Sequence, residues 1–243
     1  MLIQKVTDPR FIYILEQVNA CEETKPAKIF AHSCELIAHQ LKEHGYSYND
    51  KKKLCTKTSG IYQFSIRFET DHSWNKFGNN VQIVLYASVE SAKLKEKCKS
   101  LGIPWIFSNI LAAGQLGNFG DDHKWLNWNL SDKEKRPKNI GAIYNWIQRK
   151  AFPLFDKFEN PEKFKNEIVH NDLMCFPVRD QLEVISYYRG TDIAKQVAIE
   201  YVKGNKLIQD RYREYLKSFE DPNVKGDSIA NDISALAYMV SRL

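Results

Sequence analysis

The segments IYQFSIRFE at residues 61–69 and VQIVLYASV at residues 81–89 decide the fold. In the first segment apolar and polar side chains alternate, which is the period of a strand with one face on a core and the other in water. The second segment repeats this pattern, although Val84 and Tyr86 make its other face partly apolar. The two segments therefore predict neighbouring antiparallel strands, with the second strand nearer the middle of its sheet.

The composition is that of a folded domain. The chain has 243 residues, of which 43% are hydrophobic and 12% aromatic. This length fits one large domain or a domain with an appendage, and this apolar content can bury a sizeable core. The net charge of +5 is compatible with an anionic partner but lies within the range of ordinary soluble proteins.

The cysteines indicate a reducing compartment. There are five of them, widely spaced and without a C-x-x-C pair. This pattern argues against a disulfide framework or a zinc ribbon and favours reduced thiols. The first residues lack a basic segment followed by an apolar run, and no stretch reaches the roughly 18 apolar residues of a membrane helix. We therefore expect a cytoplasmic protein that has no membrane partner.

Helical patterns lie on both sides of the predicted strands. Ile29, Phe30, Cys34, Ile37 and Leu41 form the apolar stripe of a helix that Gly45 ends, and a later helix carries Ile140 and Ile143 and is expected to end at Pro153. From residue 160 onward only helical spacings remain. We predict an α+β fold, with an antiparallel sheet of about four or five strands flanked by N-terminal helices. This sheet domain spans residues 1–158, and an all-helical C-terminal region spans residues 159–243.

Three potential metal ligands share one helix. His32, Glu35 and His39 are spaced so that they fall on roughly one face, and two imidazoles with a carboxylate can bind zinc or iron. The spacing is not H-E-x-x-H, and the sequence indicates no fourth ligand. The alternative is an exposed polar stripe opposite Ile37 and Leu41. We therefore predict no metal site. If the protein does bind a metal ion, these three residues are the candidate ligands.

A second polar cluster precedes a predicted strand at KWLNWNL. Asp121, Asp122 and His123 at a sheet end could hold a metal or act as acid and base. The neighbouring Gly117 and Gly120 favour an ordinary turn instead, because Asp and Gly are preferred there on backbone grounds.

The sequence contains no recognised cofactor or nucleophile motif. The segment GQLGNFG at residues 114–120 resembles a phosphate-binding loop but lacks the terminal Lys-Ser/Thr and the G-x-G-x-x-G spacing. There is no G-x-S-x-G nucleophile elbow. We expect no cofactor and no catalytic residues, although the sequence leaves enzymatic activity open.

Basic runs suggest a nucleic-acid partner as an alternative. They lie at residues 51–53, 93–99, 133–138 and 211–213. Aromatic residues between such cations could stack on bases. Each run contains or adjoins acidic residues, however, and the modest net charge argues against this role.

The connection between the two strongest strands predicts a partner-binding surface. Trp74, Lys76 and Phe77 lie within it, and large aromatic residues are enriched at protein interfaces. Arg67 and Glu69 lie on the polar face of the strand that leads into it. The alternative is that Trp74 folds back onto the sheet as a lid.

Several segments resemble a bacterial family of uncharacterised α+β domains. They are HQLKEHGYSYNDKKKLCTK, IYQFSIRFETDHSW, VQIVLYASV, KWLNWNL and AFPLFDKFENPEKF, and the resemblance covers about residues 27–170. Tyr46 stands where the family usually has Phe, and Lys57 where Arg is common. The resemblance implies no established activity. Proteins of this kind are often likened to the immunity proteins of toxin systems.

These observations favour a non-enzymatic protein that binds another protein, of the immunity or antitoxin type. The partner-binding residues would be Arg67, Glu69, Trp74, Lys76 and Phe77. The alternative is a protein that binds nucleic acid or processes it with a metal ion.

Overall fold

In a computed structural model the chain is an α+β protein that contains an antiparallel sheet, N-terminal helices and C-terminal helices. The structure describes residues 9–20, 25–70, 80–100, 109–119, 124–170, 178–221, 223 and 232–242. The strands are β1 Ser47–Asn49, β2 Leu54–Ser59, β3 Tyr62–Thr70, β4 Gln82–Glu90, β5 Ile110–Gln115 and β6 Asn127–Asn129. The helices are α1 Pro9–Ala20, α2 Pro26–Lys42, α3 Ala92–Ser100, α4 Arg136–Trp146, α5 Phe152–Glu159, α6 Pro161–His170, α7 Val178–Arg189, α8 Thr191–Gly204, α9 Lys206–Ser218 and α10 Asp232–Arg242. The predicted fold class is confirmed.

Within the described residues the sheet has six strands. Five follow one another in the order β1-β2-β3-β4-β5, and β6 also pairs with β4. Strand β1 pairs with β2 and strand β6 pairs with β4 in antiparallel register, with Ser47 opposite Thr56 and Ile83 opposite Trp128. The sheet has one strand more than the predicted four or five. The short strand β6 lies within the strand predicted at KWLNWNL, and both β1 and β6 have only three residues.

The two strands that decided the fold bury one complete face. On β3 the apolar residues are at most 2% exposed, and on β4 the alternate apolar residues are fully buried. They are Tyr62, Phe64, Ile66 and Phe68 on β3, and Ile83, Leu85, Ala87 and Val89 on β4. The other face is mixed. Val84 on β4 is 3% exposed and Ser65 on β3 is 4% exposed, whereas Gln63, Arg67 and Glu69 are exposed.

The chain divides into two compact units. The first comprises Met1–Thr58, Gln63–Ser88 and Ala113–Leu154, and the second comprises Ser59–Tyr62, Val89–Ala112 and Phe155–Leu243. The second unit therefore includes the segment that carries α3, which the sequence analysis had assigned to the sheet domain.

In the first unit α2 forms because its apolar residues recur at helical spacing. All five residues of the predicted stripe are buried. The helix ends in a Schellman turn, in which the N–H of Gly45 donates to Lys42 O at 2.9 Å and the N–H of Tyr46 donates to Leu41 O at 3.3 Å. Gly45 has a φ of +83°, a conformation that glycine adopts without steric cost. This turn directs the chain from α2 into β1, which packs against the helix.

The sequence analysis expected the helix that begins at Arg136 to end at Pro153. In the structure the helical path continues past this residue. A π-helical segment, Ile147–Ala151, joins α4 to α5, and Pro153 lies in the first turn of α5. The N–H of Phe152 donates to Ile147 O, five residues earlier. Proline has no N–H to donate, and a local i→i+5 turn lets the helix continue past this gap. Phe152 thereby reaches His44, with ring centroids 4.8 Å apart.

The second unit is mainly helical. Helices α6, α7 and α8 pack on one another, as do α9 and α10. Its aromatic contacts include Phe158 against Phe164 at 5.0 Å between centroids and Phe219 against Tyr238 at 5.2 Å. Gly190, with a φ of +91°, makes the turn between α7 and α8. The predicted succession of helices after residue 160 is confirmed.

Candidate functional site

A cleft in the first unit brings together residues from α1, α2 and β1. Its volume is about 280 Å³. Helix α1 contributes Tyr13 and Gln17, which are one helical turn apart, and β1 contributes Tyr48. Helix α2 contributes the remaining residues, His32, Glu35, Leu36, Ala38, His39 and Lys42. The cleft therefore contains all three residues that the sequence analysis considered as metal ligands.

The position of these α2 side chains follows from the apolar stripe of the helix. That stripe is buried, so the row His32, Glu35, His39 and Lys42, spaced three or four residues apart, lies on the other side. Glu35, His39 and Lys42 are exposed, and His32 is half-buried. The row thus offers a carboxylate, two imidazoles and an ammonium group along nearly three turns of one helix.

An aromatic stack forms one wall of the cleft. The ring of Tyr13 lies on the imidazole of His39, with centroids 4.7 Å apart and planes inclined by 23°. Nε2 of His32 is buried and has no hydrogen-bond partner among the residues that the structure describes.

Tyr48 closes the cleft from the β1 side. Its hydroxyl donates to Asp50 Oδ1 at 3.3 Å, and Asp50 also pairs with Lys53. The hydrogen bond from Lys53 lowers the pKa of Asp50 below its ordinary value. Burial of the phenol, with Cys34 and Asp50 nearby, raises the pKa of Tyr48. Tyr48 therefore remains a neutral phenol beside an ionised carboxylate.

The geometry does not support a metal ion in this cleft. Across the described ranges, no group of three or more His, Cys, Asp and Glu side chains is arranged to hold a metal ion. His32, Glu35 and His39 thus share a helix face and a cleft but do not converge as ligands. Residues 121–123, the second candidate cluster, lie outside the described residues.

The partner-binding residues predicted from the sequence are only partly described. Arg67 and Glu69 are exposed on β3, as expected for its polar face. Trp74, Lys76 and Phe77 lie outside the described residues, so their arrangement stays a prediction. Further along the chain Trp125 is 59% exposed just before β6, and Asn127 and Asn129 of that strand are exposed as well.

Several cations of the basic runs have local partners. Lys135 pairs with Asp132 at 2.9 Å and Arg213 with Asp210 at 3.2 Å. Arg136 is 2% exposed and donates through Nε to Leu130 O at 2.6 Å and through Nη2 to Ser131 O at 3.3 Å. The two exposed cations bind neighbouring carboxylates, and the buried guanidinium binds backbone carbonyl oxygens. The nucleic-acid hypothesis stays a prediction.

Within the glycine-rich segment predicted at residues 114–120, Gly117 has a packing role. Gln115 accepts from the N–H of Gly117 at 2.7 Å and donates to Leu126 O at 2.6 Å. A Cβ at Gly117 would lie 1.8 Å from the carbonyl oxygen of Lys124. Glycine is therefore required here for close approach of two backbone segments. A phosphate ligand is not needed to explain the presence of glycine at this position.

Two thiols lie in the interior of the first unit. Cys34 on α2 and Cys55 on β2 are both fully buried and free. Burial raises the pKa of Cys55 from 9.0 to about 12 and raises the pKa of Cys34 well above 9.0. Both groups are therefore protonated and inert at neutral pH, as expected for structural cysteines.

The comparisons with known proteins assign no family. No protein-family model matches the chain, and no curated protein or solved structure matches it. The resemblance described from the sequence therefore stays a prediction. In the described part of the chain no helix is long and apolar enough to cross a membrane.

Sequence analysis found part of the cleft and missed the rest. It selected His32, Glu35 and His39 but not Lys42, Tyr13, Gln17 or Tyr48. The spacing of Tyr13 and Gln17 places them on one face of α1, and this was an available signal. Which helix that face meets depends on tertiary packing, which one helical pattern does not specify.

Proposed function

We propose that this chain is a non-enzymatic protein that binds another protein through the polar face of its sheet. The observation that carries this proposal is the pair Arg67 and Glu69, exposed two residues apart on β3 while Ile66 and Phe68 between and beside them are buried. This strand leads directly into the connection that contains Trp74, Lys76 and Phe77.

The chemistry of this face supports a protein partner. Paired positions on neighbouring strands have their side chains on the same side of a sheet. Asn127 opposite Val84 and Asn129 opposite Gln82 therefore extend a face rich in amides. Arg and Trp are enriched at interfaces, and amides can form hydrogen bonds across them. The immunity type of function, in which the chain would bind and block a toxin, rests on analogy with small bacterial proteins of this kind, since the resemblance itself implies no established activity.

The test is recovery of the partner at physiological salt. The tagged chain is purified from its native cells, and co-purifying protein and nucleic acid are quantified by mass spectrometry and absorbance. The same purification is repeated with Arg67→Ala plus Glu69→Ala. The control is Lys133→Ala plus Glu134→Ala, which also removes one exposed charge of each sign.

We expect a stoichiometric protein partner that the control retains and the Arg67/Glu69 variant loses at least tenfold. Equal retention by both variants contradicts the assigned surface. Recovery of nucleic acid in place of protein contradicts the proposed function and favours the alternative, for which affinity must fall steeply with salt.

A further inference from the structure

We propose that the cleft between α1, α2 and β1 binds a free α-amino acid with an apolar side chain. The site is defined by Glu35, Lys42, Leu36 and the stacked rings of Tyr13 and His39. It is separate from the sheet face assigned above to the protein partner.

The volume of the cleft sets the size of the ligand. Pockets for drug-sized ligands measure about 300–1,000 Å³. A cleft of about 280 Å³ lies just below this range and suits a molecule of amino-acid size.

The charges of the cleft match a zwitterion. Glu35 provides a carboxylate for an ammonium group, and Lys42 provides an ammonium group for a carboxylate. They are two helical turns apart, a rise of about 10 Å, with His39 between them. Both side chains are long and exposed, so their charged ends can converge on a ligand seated between them. The two charges cancel, which disfavours a simple anion or a simple cation.

The interior of the cleft matches an apolar side chain. Leu36 and Ala38 are 3% and 2% exposed and form its apolar part. The rings of Tyr13, His39 and Tyr48 add flat apolar surface. Aromatic side chains combine a large contact area with a preferred stacking geometry. An aromatic amino acid therefore uses both the charged and the apolar parts of the site.

Three matched probes test the proposal. Phenylalanine carries both charges, phenylalaninamide carries only the ammonium group, and N-acetylphenylalanine carries only the carboxylate. Each is titrated into the full chain by calorimetry and by ¹⁵N–¹H correlation spectra. The variants are Glu35→Gln and Lys42→Met, and the controls are Glu43→Gln and Lys52→Met, which change exposed charges outside the cleft.

We expect phenylalanine to bind at least tenfold more tightly than either single-charge probe. Glu35→Gln should weaken binding of phenylalanine and phenylalaninamide, and Lys42→Met should weaken binding of phenylalanine and N-acetylphenylalanine. Both controls should bind as the unmodified chain does. Equal binding of phenylalaninamide and phenylalanine overturns the proposal in favour of an amino-terminal peptide group. Absence of binding by all three probes, or binding that neither cleft variant alters, also overturns it.

Discussion

The hydroxyl of Tyr144 on α4 lies 2.7 Å from Nε2 of His44, which follows α2. Gln148 donates to the same hydroxyl at 3.2 Å. A hydroxyl that accepts from Gln148 can still donate its own proton, and Nε2 of His44 lies within reach. The guanidinium of Arg10 on α1 lies 5.5 Å from the centre of the same ring. One tyrosine thus contacts α1, the turn that follows α2 and the π-helical segment.

Removal of this hydroxyl should destabilise the first unit. We expect Tyr144→Phe to lower the free energy of unfolding by about 0.5–1.5 kcal/mol, because a net hydrogen bond is lost and the ring is kept. Urea denaturation measures the effect. In a double-mutant cycle with His44→Phe, a positive coupling energy is expected. Additive effects of the two substitutions would contradict a direct bond.

Gly117 should not tolerate a side chain. Gly117→Ala places a Cβ 1.8 Å from Lys124 O and 2.7 Å from a Leu126 side-chain carbon. We expect a loss of stability of about 1–3 kcal/mol or more, as for overpacking in general. The matched control is Gly141→Ala, where the nearest of the surrounding atoms is 3.9 Å away. Within α4 the control should be neutral or stabilising by up to about 1 kcal/mol. Equal melting temperatures for the two variants would refute this packing role.

The buried thiols should make the protein less stable in alkali. Above pH 9 an unfolded thiol loses its proton, whereas the pKa of Cys55 in the folded state is about 12. The unfolded state then binds fewer protons, so stability present below pH 9 is lost as the pH rises towards 12. The slope is at most about 1.4 kcal/mol per pH unit for each thiol.

Urea denaturation between pH 8 and 10 tests this effect. The range stops at pH 10 because the ordinary pKa of tyrosine is about 10, and phenol groups would ionise above it. Cys55→Ser changes stability by a constant amount but should flatten its pH dependence. Cys34→Ser should act in the same direction. An unaltered slope in both variants would show that other groups cause the alkaline loss.

The loop tip predicted from the sequence has its own test. Trp74→Ala combined with Phe77→Ala should abolish binding of the protein partner, because aromatic residues supply most of the energy at interface hot spots. Affinity is measured by calorimetry with the isolated partner, and circular dichroism verifies the fold. If Trp74 is instead a lid on the sheet, the double variant should lower the melting temperature and leave the affinity unchanged.

The sequence predicted those parts of the fold whose patterns are long. The alternation in β3 and the stripe of α2 each run through nine or more residues, and their burial is confirmed. Ser65 departs from the alternation, since it lies on the polar face but is 4% exposed. Its burial depends on what packs against that face, and the strand pattern alone does not contain this information.

The cleft was less predictable for a similar reason. Its charged row could be located on α2 from spacing alone. The stacking of Tyr13 on His39 requires α1 to lie beside that row, and this position results from tertiary contacts. The metal hypothesis rested on residue types and one helix face. It did not include the convergence of side chains that coordination requires.

The hydrogen bond from the N–H of Lys124 to Gly117 O, at 3.2 Å, has a consequence for protein engineering. The chain leaves Gly117 and returns to it seven residues later, so the two ends of this excursion are already held together. Lengthening a closed loop costs little, about 0.6 kcal/mol for each doubling of its length. A peptide tag or a small reporter domain inserted between residues 120 and 123 should therefore leave the first unit folded, whereas the same insertion between Gln115 and Gly117 should not.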